Sequence, residues 1–236
     1  MHKNLLRIVL LVSMLLPSPA FTAGSISVGD SIAGLEAQAL LSGFSPSSSL
    51  ELHLRTPAGE DVALTAFTDD IGDASVLLPA DLTEKAGTYQ LTGGKPGTAT
   101  AQAQFKILPD RVDDTHSSIE AESTELVADG KSEAMVIVTL RDRFDNPLAG
   151  RPVELISSRS GDSITPVSSQ TDTRGDQRFV LHTEEAGDII FRAMDFLSGL
   201  TLKDRAYITA DSAYGIVLLV RSFAEASRVS VNFLTV

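Results

Sequence analysis

Beyond His2, the residues whose types suit chemistry are His53, His116 and His182, two serine-rich stretches and three knots of aspartate. A histidine acting as general base needs a positioned partner. His53 in "ELHLR" and His182 in "FVLHT" fall on the outward rows of alternating runs, His116 lies in the polar "LPDRVDDTHSS", and the sequence places no such partner beside any of them. The serines of "SPSSS" and "SSRSG" lack a nucleophile elbow. The aspartates suggest a hard cation instead: Asp69, Asp70 and Asp73; Asp142 and Asp145 with Asn146; and Asp110, Asp113 and Asp114, where calcium would stiffen a joint. Calcium takes about 6 to 8 oxygens, and no segment reproduces a D-x-D-x-D-G loop. Aspartate and asparagine at such spacings form turns by bonding their own backbone. The expectation is a protein that is not an enzyme, with no catalytic residue, no cofactor and no metal ligand.

The elements that would position such residues begin with an export signal. His2, Lys3 and Arg7 form a basic head, Leu5 to Leu16 is largely apolar, and Pro17 to Ala20 breaks the run before a small residue. This predicts a signal peptide over residues 1–20, cleaved after Ala20. Removing Lys3 and Arg7 from 19 basic residues, against 31 acidic ones, moves the formal net charge from −12 to −14. A surface this acidic argues against nucleic acid or anionic lipid as partner and keeps an exported β-protein soluble. The absence of cysteine excludes disulfide staples, an acylated anchor, thiol catalysis and cysteine-type zinc sites. After signal cleavage no later run is long enough for a transmembrane helix; "YGIVLLV" has strand length.

The rest of the chain reads as strands. Leu50, Leu52 and Leu54 share one face of a period-two run while Glu51, His53 and Arg55 share the other. Ala134, Val136, Val138 and Leu140 form a second such row, and Met135 and Ile137 make its reverse apolar too, as in a central strand. "TPAGED" and "DRFDNPLAG" read as hairpin turns. Thr68-Asp69 with Gly72-Asp73 returns as Thr171-Asp172 with Gly175-Asp176, and Ala86-Gly87 as Ala186-Gly187. Each copy reads as turn, outgoing strand, turn and returning strand of a hairpin, so a whole domain is repeated. Phe196 and Leu197 in "MDFLSGL" read as either a loop tip that touches a partner or a plug closing a sandwich, and aromatic burial favours the plug. The expected fold is all-β, with tandem β-sandwiches at residues 24–108 and 114–210. Residues 211–236 form either a tail that pairs with one of them or the start of a further β domain, as in a truncated longer protein.

The series "LVADGKSEAMVIVTLRDRFDNPLAGRPVEL" (126–155) and "TDTRGDQRFVLHTEEAGDIIFRA" (171–193) resembles the bacterial Ig-like domains of the invasin and intimin type. The resemblance rests on an "ADG" turn, a strand ending L-x-D, an "NPLAG" hairpin, "TDxxG" and "AG", in that order. The first domain is only distantly similar: it keeps "TDxxG" and "AGTY" but lacks "NPLAG". The resemblance implies tandem immunoglobulin-like sandwiches and a non-catalytic spacer or cell-adhesion component at a bacterial surface, with a protein or cell-surface partner. The rival readings are a soluble periplasmic or extracellular binding module for carbohydrate or a partner protein, and a fragment of a longer surface protein whose activity lies beyond Val236. The lack of tryptophan weighs against carbohydrate.

Overall fold

The computed structural model describes residues 24–94 and 101–213, and the backbone of two further strands at 217–219 and 232–234. The expected signal peptide and most of residues 211–236 lie outside the described residues. Eight strands come first: β1 Ser25–Val28, β2 Ser31–Ile32, β3 Ala37–Ser42, β4 Ser49–Arg55, β5 Asp61–Phe67, β6 Ala74–Leu78, β7 Gly87–Gly93 and β8 Ala101–Leu108. Nine follow: β9 Ser118–Ala121, β10 Glu125–Ala128, β11 Ala134–Thr139, β12 Val153–Ser157, β13 Ser163–Pro166, β14 Asp176–His182, β15 Gly187–Asp195, β16 Leu200–Thr201 and β17 Ala206–Ser212. Two tail strands, β18 Val217–Leu219 and β19 Asn232–Leu234, pair antiparallel with each other.

The strands make two sandwiches. In the first, β1-β3-β6 faces β2-β8-β7-β4-β5; in the second, β13-β14-β11-β9 faces β10-β17-β15-β12, with β16 on β15. Alternation sets which side chains go inward. Leu52 and Leu54 are fully buried while Glu51 and Arg55 are exposed. Val136, Val138 and Leu140 are fully buried, and β11 is central between β14 and β9, which half-covers Met135 and Ile137. Each fully buried leucine or phenylalanine contributes on the order of 1.5–3 kcal/mol. One core gathers Leu41, Leu52, Leu54, Leu91, Ile107 and a stacked Tyr89–Phe105 pair (5.4 Å between ring centres). The other gathers Val136, Leu140, Phe179, Leu181, Ile189 and Phe191.

Apart from the short β16, which the first copy lacks, the two copies correspond strand for strand except at one edge. In the first, β5 stays beside β4 after its hairpin; in the second, β13 crosses to pair with β14 in the opposite sheet. The repeated motif also differs from the hairpin read from sequence. β6 pairs with β3 and β7 with β4 and β8, so outgoing and returning strands lie in facing sheets. The same holds for β14 and β15. The connections carrying Thr83 and Thr183, both buried, pass over the end of the sandwich instead of turning within a sheet. Phe196 and Leu197 are a second correction. They are 66% and 61% exposed, at a turn tip rather than a plug, because the inward position belongs to Asp195, fully buried with Arg151 and Ser198 on its carboxylate.

Candidate functional site: the joint between the sandwiches

The repeated Thr-Asp-x-x-Gly-Asp motif braces the loop that precedes it in space. Thr171 Oγ1 donates to Leu148 O (2.6 Å) and accepts from Arg151 N (2.9 Å), and Leu140 N donates to Gly175 O (2.8 Å). Asp172 Oδ1 accepts from the amides of Arg174 and Asp176, which closes the turn and holds its carboxyl below the usual range. Gly175 is left-handed (φ 84), and a Cβ there would lie 2.4 Å from Leu140 O, so no other residue fits. The first sandwich repeats the device: Thr68 Oγ1 donates to Ser45 O (2.6 Å) and accepts from Ser48 N (3.1 Å), while Gly72 N donates to Asp69 O (3.2 Å). What differs is the loop that each motif holds.

In the second sandwich that loop, Asp142 to Asn146, reaches into the first. Asp142 is fully buried, and its carboxylate accepts from the amides of Asp110, Phe144 and Asn146 and from Asn146 Nδ2, all at 2.8–2.9 Å. Four donors on one carboxylate compensate its loss of water. Asn146, 4% exposed, is thereby aimed across the joint, where Oδ1 accepts from Ala86 N (2.8 Å) and Nδ2 donates to Glu84 O (2.7 Å). Lys85 Nζ donates to Phe144 O (2.7 Å). The Phe144 ring packs against the core of the first sandwich, over Gly34, where a Cβ would lie 2.2 Å from the ring. Arg143 stacks on that ring (4.7 Å) and pairs with Asp110 (3.3 Å). Sequence reasoning read this hairpin as a turn. It is one, with Asp145 left-handed (φ 63), but it is also a clamp. Composition does not reveal which face of a turn is buried; the signal available was Gly34, whose missing side chain is needed by a ring in the other domain.

The groups singled out for chemistry have local partners. His53 lies 3.3 Å from Glu51, His182 3.7 Å from Glu133 and His116 3.0 Å from Asp113, so each has a carboxylate neighbour that the sequence did not disclose. At Asp113 the Thr115 hydroxyl and the His116 ring hydrogen-bond the carboxylate and hold it far below the usual range, while that bond raises His116. This is not a triad: threonine and aspartate share the same ring nitrogen, Nδ1, whereas a triad needs opposite nitrogens. Asp69 Oδ1 accepts from Ile71 N and Asp73 N, Asp110 pairs with Arg143, and Asp114 with Lys203. Among the described residues, no group of three or more His, Asp or Glu side chains is arranged to hold a metal ion.

The comparisons agree with this architecture. Residues 116–195 match the bacterial Ig-like domain (group 1) family. A 111-residue stretch, 47% of this chain, is 29% identical to the inverse autotransporter adhesin YeeJ of Escherichia coli K12, and spans 5% of that relative's length. The solved structure of the Escherichia coli adhesin FdeC superposes with a TM-score of 0.63 at 15% identity, covering 84% of this chain and 67% of that one. Yersinia pseudotuberculosis InvD gives 0.55 at 13% identity, covering 89% and 68%. The structural matches show a shared fold across both sandwiches, and the family match, to the group 1 bacterial Ig-like domain, falls within the second of them.

Proposed function

We propose that the chain is a non-catalytic module of an exported bacterial surface protein, a spacer or adhesion segment that works by holding its two sandwiches in fixed relation. The proposed units are residues 24–108 and 114–210, after a signal peptide at residues 1–20; any receptor is a protein or cell-surface partner. One observation carries this reading: the Asp142–Asn146 clamp. Two domains joined by a plain linker move independently, whereas here a buried asparagine, a lysine and an aromatic ring cross the joint. The likeness to adhesins supports a location at the bacterial surface.

Small-angle scattering on residues 24–236 tests the reading. The expected result is a single particle length that does not change with concentration or salt. A broad distribution of interdomain distances would overturn it.

A further inference from the structure

The outer face of β13-β14-β11-β9 departs from the polar surface that alternation gives a solvent-facing sheet. Its two central strands present Met135 and Ile137 from β11 and Arg178, Val180 and His182 from β14, all half-buried. The register sets Ile137 opposite Arg178 and Met135 opposite Val180. Val167, 61% exposed, extends the first of these rows, its amide donating to Arg178 O (2.8 Å).

Two polar side chains on this face lack partners. Four arginines are half-buried among the described residues. Arg141 donates to Asp145 O (3.0 Å), Arg151 to Asp195 (3.0 Å) and Arg159 to Asp162 (2.7 Å). Arg178 has no such partner, and its Nε is buried without a hydrogen bond. His182, on the same side of the same strand, has Nδ1 buried and equally unpartnered, while its Nε2 lies 3.7 Å from Glu133. A buried donor without an acceptor has given up water for nothing. The acid that shares the row of Arg178 is Glu120, which is exposed and separated from it by Ile137.

We propose that this face docks a partner protein through a segment that sets an aspartate or glutamate carboxylate on Arg178, between apolar side chains that cover Met135, Ile137 and Val180. The inference rests on the reading as an adhesion segment and gives its partner a chemistry. Charge complementarity fixes the occupant. A guanidinium takes a carboxylate through two parallel N–H bonds, which the chain itself leaves unmade at Arg178. Exposed Glu120, Glu122 and Glu133 border the apolar centre, so the partner is basic at its margin where it is acidic at its middle. Arginine and methionine within an apolar patch, with charge at the rim, are the composition of a protein interface. A free sugar acid supplies the carboxylate but leaves the apolar side chains uncovered.

The test is NMR of the arginine Nε–H groups in residues 24–236, titrated with the peptide acetyl-Lys-Val-Glu-Val-Lys-amide and with its glutamine counterpart. The expected result is saturable movement of the Arg178 signal, about tenfold weaker affinity for the glutamine peptide, and no movement at exposed Arg192. Arg178→Lys should weaken and Arg178→Gln abolish the same binding, read at the methyl groups of Met135 and Val180. An Arg178 signal that stays still, or that responds equally to both peptides, overturns the proposal, as does equal movement at Arg192. If the signal moves with protein concentration in the absence of peptide, or on removal of residues 213–236, the occupant is a second copy or the chain's own tail and the proposal fails. An unmoved Arg178 in a particle of single length leaves the spacer reading standing. A broad distribution of interdomain distances overturns that reading whatever Arg178 does.

Discussion

Replacing Asn146 with alanine removes two of the three hydrogen bonds that cross the joint among the described residues. Each is worth about 1 kcal/mol net, so the coupling between sandwiches falls by about 2 kcal/mol, on the order of thirtyfold in the closed-to-open ratio. A further cost of about 1–2 kcal/mol falls on the second sandwich alone, because buried Asp142 loses one of its four donors. The two effects separate by assay. Exchange at the Ala86 amide reports the joint, and denaturant unfolding reports the second sandwich. Lys85 and the Phe144 ring remain, so the joint loosens without dissolving, and Phe144→Ala added to Asn146→Ala loosens it further, leaving the Lys85 bond to the backbone carbonyl at position 144. Protection at Ala86 and scattering dimensions that both match the unmodified chain would refute the clamp.

Gly175→Ala sets a Cβ 2.4 Å from Leu140 O at a positive φ, and should destabilise the second sandwich by about 2–3 kcal/mol in thermal unfolding. The same substitution at Gly150, left-handed but with nothing near its Cβ position, should cost about 1 kcal/mol. Burial pushes the carboxyls of Asp162 and Asp195 up, but hydrogen bonds from Arg159 and Ser157, and from Arg151 and Ser198, outweigh it and hold both below the usual range. A carboxyl lowered in the fold adds stability that is whole above about pH 4 and is lost as pH falls through its folded value. Unfolding midpoints should therefore drop on acidification below about pH 4, and Asp195→Asn should flatten that dependence. Chelation or added calcium should leave the scattering curve unchanged, since Asp110, Asp113, Asp114 and Asp142 are all engaged by protein donors.

The strands and their inward faces were legible because period-two alternation depends only on the pleat: Leu52, Leu54, Val136 and Val138 needed no knowledge of their partners. The repeat was legible for a related reason, since a threonine staple and a left-handed glycine each tolerate few residue types. Partner choice between sheets was not. Nothing local distinguishes β5, which stays beside β4, from β13, which crosses to β14, because both outcomes satisfy the same edge. The joint escaped for the same reason: Asn146 acts through Glu84 and Ala86 and Phe144 through Lys85 and Gly34, all far away in sequence, and their turn chemistry fully explains them until the far side is seen.

Parallel pairing between the second and last strands of each sandwich has a mechanical consequence. β10 runs alongside β17 over Glu125↔Thr209 to Ala128↔Ser212, so chain tension entering at one end and leaving at the other slides the two strands past each other. Their hydrogen bonds are then loaded together in shear, and none can be peeled away singly. In the first sandwich the equivalent contact is shorter, Ser31↔Ile107 and Ile32↔Leu108. Under a pulling force the first sandwich should be the weaker link and yield while the second still bears load.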